Sequence, residues 1–158
     1  MLFRSIVPGD KVSIQYVDDV NSTRSRRTLE TSLNATFSDA VINACFAEYT
    51  DAGEGRRLSN FLPMRRFKVG EPIDVVIKDP DMDLSNERDT LKFEARVLSG
   101  GAPIVINALE SEKHSGMFVG KVFPISGKPT RPGELQVGPS DEIELSYLDV
   151  DNTNPGIP

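Results

Sequence analysis

Apolar and polar residues alternate along much of this chain, beginning near its N-terminal end. Between residues 11 and 17, Val12, Ile14 and Tyr16 occupy every second position, with polar residues between them. A period of two is typical of a β-strand that buries one face. We therefore predict a strand here, followed by a turn at residues 18–22, where Asp and Asn can cap their own backbone.

The same alternation predicts more strands, and turn-forming residues separate them. Further strands are expected around residues 29–37, 73–77, 90–97, 104–108, 118–122 and 135–148. Residues 40–49 form an apolar run that fits a strand or a helix, and we favour a strand because its neighbours are strands. A loop is predicted at residues 50–55, and residues 56–63 give only a weak signal. Many short strands without a long amphipathic helix predict an all-β, antiparallel sandwich.

One stretch of the chain occurs twice, in residues 8–18 and again in residues 139–149. Pro, Asp, Tyr and Asp recur at one offset of 131 residues, which is the distance from residue 8 to residue 139, and Asn21 corresponds in the same way to Asn152. The apolar positions between these anchors also correspond. Self-similarity at a fixed period is typical of tandem modules.

The repeat predicts how the chain is divided. Residues 1–33 would be the last strands of a preceding module or an N-terminal extension, residues 34–152 a whole module, and residues 153–158 a linker. Two strands are marginally stable in water. We therefore expect the N-terminal strands to pack on the following module, to complete its sheet, or to pair with another chain.

The strand pattern also predicts the core of the module. One apolar face of each strand should be buried, which gives the set Ile73, Val75, Ile77, Leu91, Phe93, Val97, Ile106, Phe118, Ile143, Leu145 and Tyr147.

Charge excludes some partners. The formal net charge is −6, and it is uneven, because residues 1–69 carry a net +2 and residues 70–158 a net −8. An acidic surface repels the phosphate backbone, so nucleic acid is not an expected partner.

The chain has no apolar run of ~18 residues, the length that a membrane-spanning helix requires, so we predict no membrane span.

The single cysteine limits the redox and catalytic chemistry of the chain. Cys45 excludes an internal disulfide and any metal site built from several cysteines. It lies in an apolar run, where a small buried hydrophobe is the expected role. A catalytic thiol would need a histidine, and His114 is the only one.

An acidic turn supplies the candidate metal ligands, Asp79, Asp81 and Asp83. Carboxylates at alternate positions could converge on a hard cation such as calcium. The spacing is not that of an EF-hand, because Thr90 stands where that loop has Glu. Asp149 or Asp151 could lie at the same end of the module, and like charges held together favour either a bound cation or an outward splay into water. Both readings stay open.

Four motifs follow one another between residues 67 and 149: FKVGEPI at 67–73, DPDMD at 79–83, ES…SGMFVG at 110–120, and SDEI…YLD at 140–149. In this order they resemble the immunoglobulin-like β-sandwich repeats of large bacterial surface and secreted proteins. The chain departs from the usual pattern at Asp83 and His114, where Asn is common, and at Ser140, where Gly is common. Glu110 is expected to accept backbone N–H bonds from the turn that follows it.

The resemblance implies an immunoglobulin-like β-sandwich that serves as a non-catalytic structural or adhesive repeat, extracellular or at the cell surface. Its partners would be neighbouring modules of the same polypeptide, and a cell-surface protein or glycan. The alternative is a ligand-binding module for carbohydrate, or one dependent on calcium, attached to a secreted enzyme. A third reading, an enzyme, would need a deep pocket with perturbed carboxylates. The sequence has no phosphate-binding loop, nucleophile elbow or zinc spacing, so we predict no enzymatic activity.

Overall fold

Short β-strands account for nearly all regular structure in the residues that the computed structural model describes, which are 8–20, 22–51 and 56–153, with only the backbone described at 56–58. The strands are β1 (Lys11–Asp18), β2 (Arg27–Asn34), β3 (Val41–Asp51), β4 (Arg56–Pro63), β5 (Ile73–Lys78), β6 (Thr90–Val97), β7 (Ile104–Glu110), β8 (Met117–Ile125), β9 (Glu134–Gln136) and β10 (Ile143–Ser146). A 3-10 helix (Pro80–Met82) follows β5. The prediction of an all-β, antiparallel protein is confirmed.

Some sequence predictions fall outside these residues. They are Asn21, residues 1–7 of the predicted N-terminal segment, residues 52–55 of the predicted loop, and residues 154–158 of the predicted linker. Within the described part of the chain, no helix has the length and apolar character needed to cross a membrane.

The chain divides into two compact units, with the boundary between Phe37 and Ser38. The first unit, described from residue 8 and called here the N-terminal hairpin, consists of β1 and β2 in antiparallel register. Val12 lies opposite Leu33, and Tyr16 opposite Leu29. Because successive side chains alternate between faces, one face of the hairpin collects the apolar residues Val12, Ile14, Tyr16, Leu29 and Leu33, together with Thr31.

The second unit, called here the body, is described from Ser38 to Thr153. Seven of its strands form a curled antiparallel sheet in the order β10-β6-β7-β8-β5-β3-β4, and β9 pairs with β8 in parallel. β3 is long enough to serve two neighbours. Its first half pairs with β5, and its register with β4 begins at Cys45 and continues to the strand end.

The core of the body lies on the inner face of this sheet. Eight of the predicted core residues are buried, from Ile73 on β5 to Phe118 on β8, and Phe93 and Phe118 are the largest side chains with almost no exposure. Ile143, Leu145 and Tyr147 are half-buried and pack against this core. The structure also buries six residues that the predicted set does not name, which are Val76, Ala95, Ala108, Val122, Leu135 and Val137.

Gly120 permits the close packing of β8 on Phe93. A Cβ atom at this position would lie 2.5 Å from Cε1 of the Phe93 ring, which is far inside van der Waals contact. The absence of a side chain therefore lets the aromatic ring cross β8 directly.

The closing strand was predicted within residues 135–148. The structure divides this range into β9 and β10, which are separated by a turn at Pro139. Pro139 has no N–H to donate to a ladder, and the Asp141 carboxylate accepts the Gly138 N–H at 2.7 Å. The strand expected around residues 29–37 also ends earlier, at Asn34. Strands at 40–49 and 56–63 are confirmed as β3 and β4.

The two copies of the repeated stretch share a turn and the start of a strand, but β1 continues to Asp18, whereas β10 ends at Ser146, the counterpart of Gln15. Gly9 has φ of 88° and its counterpart Ser140 has φ of 66°, so both turns place their second residue in the left-handed region. Each turn then leads into a strand, β1 in the first copy and β10 in the second.

Candidate functional site

The acidic turn lies at the C-terminal end of β5. Asp79 precedes the 3-10 helix, and Pro80 begins it, a position where a missing N–H costs nothing. The Asp79 side chain is only 2% exposed. Its Oδ1 accepts the Asp81 N–H at 3.2 Å, and its Oδ2 accepts the Tyr147 hydroxyl at 2.6 Å. The buried carboxylate thus connects the turn to the segment that follows β10.

Electrostatics reinforce this pairing. Burial raises the pKa of Asp79, while the hydrogen bond from Tyr147 acts in the opposite direction and the charge of Asp149 adds to the rise. The pKa of Tyr147 is also raised, first by burial and then by its bond to Asp79. Tyr147 therefore keeps its proton and donates a hydrogen bond to the carboxylate.

Two further acids at this end hold the start of the body. The Asp81 carboxylate accepts the Ser38 N–H at 2.6 Å, and the Asp149 carboxylate accepts the Ala40 N–H at 2.8 Å. Asp79, Asp81, Asp149 and Asp151 all line one cavity of about 330 Å³. The expectation that Asp149 and Asp151 lie at the same end as the acidic turn agrees with this cavity.

A second acidic cluster lies under the β7–β8 turn. Carboxylate oxygens of Asp83, Asp89 and Glu110 come within 4.8 Å of one another. Glu110 is fully buried. Its Oε1 accepts the N–H groups of Ser115 and Gly116 at 2.8 and 2.9 Å, and its Oε2 accepts the Asp89 N–H at 3.2 Å. The predicted role of Glu110 as an acceptor for the following turn is confirmed.

The other two members of this cluster are also hydrogen-bonded. Asp89 accepts the N–H groups of Leu84 and Ser85, both at 2.9 Å, and the Ser85 bond lowers the pKa of Asp89. His114 is exposed at the turn, with its Nδ1 3.2 Å from an Asp83 oxygen. The cluster offers oxygen ligands of the kind that calcium prefers, but each carboxylate already serves a neighbouring group.

The predicted metal ligands are therefore engaged with different partners. Asp79 contacts Tyr147, Asp81 contacts Ser38, and Asp83 joins Asp89 and Glu110. Within the described ranges, Asp83, Asp89 and Glu110 are the one acidic trio whose oxygens converge. Calcium at Asp79–Asp83 stays a prediction.

The alternation along β7 already indicates from the sequence that Glu110 faces the core, although the sequence prediction did not connect Glu110 with this cluster. It continues the series Ile106 and Ala108 at the core-facing positions of β7, and the structure buries all three. An acid at a core-facing position needs hydrogen-bond partners. The position of Glu110 on β7 is therefore enough to predict that its carboxylate binds neighbouring polar groups.

Cys45 lies buried on β3, next to Asp74 on β5. Burial raises the pKa of its thiol to about 11, and the charge of Asp74 contributes to the rise. The thiol is thus protonated near neutral pH, and the reading of Cys45 as a small buried hydrophobe is confirmed.

Asp74 itself forms an ion pair with Lys121, whose ammonium lies 5.8 Å from the centre of the Tyr49 ring.

Glu134 organises the loop before β9. Its carboxylate accepts the N–H groups of Thr130 and Arg131 at 2.7 and 3.1 Å, and it pairs with the Arg131 guanidinium at 2.8 Å. The bond from Thr130, followed by that from Arg131, lowers the pKa of Glu134 to about 2. Throughout the described residues, no buried side-chain nitrogen or oxygen lacks a hydrogen-bond partner.

A groove of about 550 Å³ lies between β10 and residues 64–69. Its apolar lining includes Met64, Phe67, Ile143 and Leu145. We call it the β10 groove.

No family model matches the chain, and no curated protein matches its sequence. Its function must therefore be inferred from its own residues.

Proposed function

We propose that this chain is a non-catalytic structural or adhesive immunoglobulin-like repeat of a large bacterial protein that is extracellular or exposed at the cell surface. The duplicated stretch carries this proposal, because residues 8–18 and 139–149 share a sequence pattern and a turn followed by a strand. Tandem modules are the usual source of such self-similarity.

The use of the buried acids supports a structural role. Asp79 has the raised pKa that is often found in catalytic carboxylates. Both of its oxygens, however, are occupied by groups of the protein itself, the Asp81 N–H and the Tyr147 hydroxyl. Glu110 and Glu134 likewise accept backbone N–H groups of turns. Such bonds stabilise loops without leaving the carboxylate available to a substrate.

The distribution of aromatic residues favours a structural repeat over a carbohydrate-binding module. In the described part of the body, the exposed Phe and Tyr side chains are Phe46 on β3 and Phe123 on β8. β5 lies between these strands in the sheet. A sugar-binding platform needs aromatic rings grouped on one face, and this arrangement does not provide adjacent ones.

An activity screen tests the non-catalytic part of the proposal. The purified chain should show no turnover of ester, glycoside, peptide or phosphate substrates above a heat-denatured control. Turnover that disappears in a folded Asp79→Asn, Cys45→Ser or His114→Ala variant would overturn the proposal. The repeat part is tested by the parent reading frame, which should encode tandem copies of the body sequence.

A further inference from the structure

The apolar face of the N-terminal hairpin is exposed to a degree that is unusual for a folded element. Ile14 is 55% exposed, Tyr16 62% and Leu33 66%. These residues are contiguous, because Ile14 and Tyr16 lie on one strand and Leu33 lies on the neighbouring one. A contiguous apolar face on a two-stranded ribbon indicates a surface that another element covers.

We infer that this face docks on another module of the same kind as the body, and that β1 takes in that module the place that β10 holds here. The inference deepens the proposed function, on which it rests, by naming the partner of the hairpin. It is carried by three correspondences between β1 and β10: in side chains, in strand edges, and in the space next to β10.

The first correspondence concerns the side chains. Ile143, Leu145 and Tyr147 pack on the core of the body. Their counterparts at the fixed offset are Val12, Ile14 and Tyr16, which share the apolar face of the hairpin. Tyr147 donates its hydroxyl to the buried Asp79. The partner module is therefore expected to offer Tyr16 a carboxylate at the corresponding place.

The second correspondence concerns the edges of the strands, since the backbone groups of successive residues point to opposite edges. The Asp10 carbonyl accepts the Ala35 N–H at the β2 side of the hairpin. Residues 12, 14 and 16 therefore face β2, and residues 11, 13, 15 and 17 face the other edge. Among the described strands, β1 pairs with β2 alone. We call its second edge, with which no described strand pairs, the open edge.

β10 uses the corresponding edge for its own partner. The Glu142 carbonyl accepts the Leu98 N–H just beyond β6, so residues 142, 144 and 146 face β6. At the fixed offset of 131, these three residues correspond to residues 11, 13 and 15, whose backbone groups face the open edge of β1. β2 could have covered that edge and blocked such pairing, but it lies on the opposite one. β1 can therefore pair at the same time with β2 and with the strand of the partner module that corresponds to β6.

The third correspondence concerns the β10 groove. β6 occupies one edge of β10, and the groove lies along residues Ile143 and Leu145, whose backbone groups face the other edge. In the hairpin that other edge belongs to β2. When the hairpin docks, β2 would thus fill the groove of the partner module that corresponds to the β10 groove, with Leu29 and Leu33 directed towards its apolar lining.

A second copy of this chain is a poorer partner, because its own β10 already occupies the required place. Docking there would need β10 to be displaced. The partner that fits is a module whose closing strand is supplied by β1.

A tandem chain tests the inference. A copy of residues 38–138 replaces residues 1–7, so that it runs directly into Pro8 as residue 138 runs into Pro139. Hydrogen exchange followed by mass spectrometry should show that amides in residues 11–18 exchange at least about tenfold more slowly in the tandem than in the single chain. A tandem in which residues 8–18 carry the sequence of residues 139–149 serves as the positive control.

Two matched variants test the docking face. Ile14→Asn places an amide on the apolar face and should abolish the protection, whereas Gln15→Asn on the polar face should retain it. Unchanged exchange in the tandem, alongside protection in the positive control, would overturn the inference. So would a dimer of the single chain that Ile14→Asn disrupts, because the partner would then be a second copy.

A graft decides the matter if the positive control does not fold. Residues 139–149 of the full chain receive the sequence of residues 8–18, in which four of eleven positions are already identical. The grafted body should unfold cooperatively, whereas a graft with its apolar and polar positions exchanged should not. Equal loss of folding in both grafts would refute the equivalence of β1 and β10. Neither experiment depends on the activity screen, so failure here and failure of the non-catalytic role are separate results.

Discussion

Glu110 illustrates how this molecule uses buried charge. An ionised carboxylate in an apolar interior is costly unless hydrogen bonds replace the water that it loses. Glu110 accepts three bonds from the backbone N–H groups of Asp89, Ser115 and Gly116, and a fourth from the Ser115 hydroxyl. In return it fixes the β7–β8 turn and the segment before β6 against each other. One side chain thereby satisfies three backbone donors that have no strand partner at those positions.

Removal of Glu110 should therefore be costly. Glu110→Ala leaves three N–H groups without their acceptor, and we expect a loss of about 3 kcal/mol in the free energy of unfolding. Glu142→Ala, at an exposed position, is the matched control and should change stability by less than about 0.5 kcal/mol. Urea unfolding monitored by circular dichroism measures both. Equal effects of the two substitutions would contradict the anchoring role.

Glu134 should make stability depend on acid. Its pKa is about 2 in the folded chain, below the value of about 4.3 expected for an unfolded Glu. A lowered folded pKa gives stability that is fully present above the unfolded pKa and is lost as pH falls towards the folded one. The difference in Tm between the wild type and Glu134→Gln should thus be largest above about pH 5 and should narrow down to about pH 2. A difference that does not vary with pH would contradict this assignment.

At the scale of elements, period-two alternation explains why so many strands could be predicted from the sequence. β6 alternates strictly between buried and exposed residues, and its prediction from the sequence is confirmed. β9 was not foreseen, because three residues are too few to show a period. β10 is shorter than the range 135–148 in which the closing strand was predicted, because Gly138 and Pro139 interrupt that run of residues.

The candidate site could be predicted only in part, for a reason of local geometry. Carboxylates at alternate positions of a calcium-binding loop can converge on the ion, and this is the basis for expecting Asp79, Asp81 and Asp83 to converge. The structure forms a 3-10 helix at Pro80–Met82, in which three residues make one turn. Side chains two positions apart then point in different directions. Asp89 and Glu110 approach Asp83 only through the pairing of β6 with β7, which sequence spacing does not reveal.

The inner face of β8 offers a test of the core. Phe118 is fully buried on this strand, whereas Phe123 on the same strand is 37% exposed. Phe118→Ala should cost about 3–5 kcal/mol, because it leaves a cavity among side chains that cannot fully collapse. Phe123→Ala is the matched control and should cost clearly less. A similar loss for both variants in chemical denaturation would show that the core is placed wrongly.

At the scale of the whole molecule, the two units differ in what stabilises them. The body has a contiguous core drawn from β5 to β10. The N-terminal hairpin leaves its apolar residues exposed, and a two-stranded ribbon is marginal in water. The proposed docking would explain this difference, because a strand that completes another module does not need a core of its own.

The charge of the molecule is concentrated in the body, and the calcium prediction belongs to this scale. Residues 70–158 carry a net −8, and Asp79, Asp81, Asp149 and Asp151 line one cavity. A cation at this end would relieve the repulsion among them. A ligand that binds only the folded state stabilises it by about 2.7 kcal/mol at a hundredfold excess over Kd. Calcium should then raise Tm by several degrees relative to a chelator.

Two variants locate the ion in the same melting experiment. Asp81 belongs to the predicted turn, whereas Asp89 belongs to the cluster with Asp83 and Glu110. If calcium binds at the predicted turn, Asp81→Asn should abolish the calcium-dependent rise in Tm and Asp89→Asn should leave most of it. The reverse result would move the site to the cluster under the β7–β8 turn. A wild-type Tm that is the same with calcium and with chelator would mean that hydrogen bonds to Ser38, Ala40 and Tyr147 suffice to hold these carboxylates.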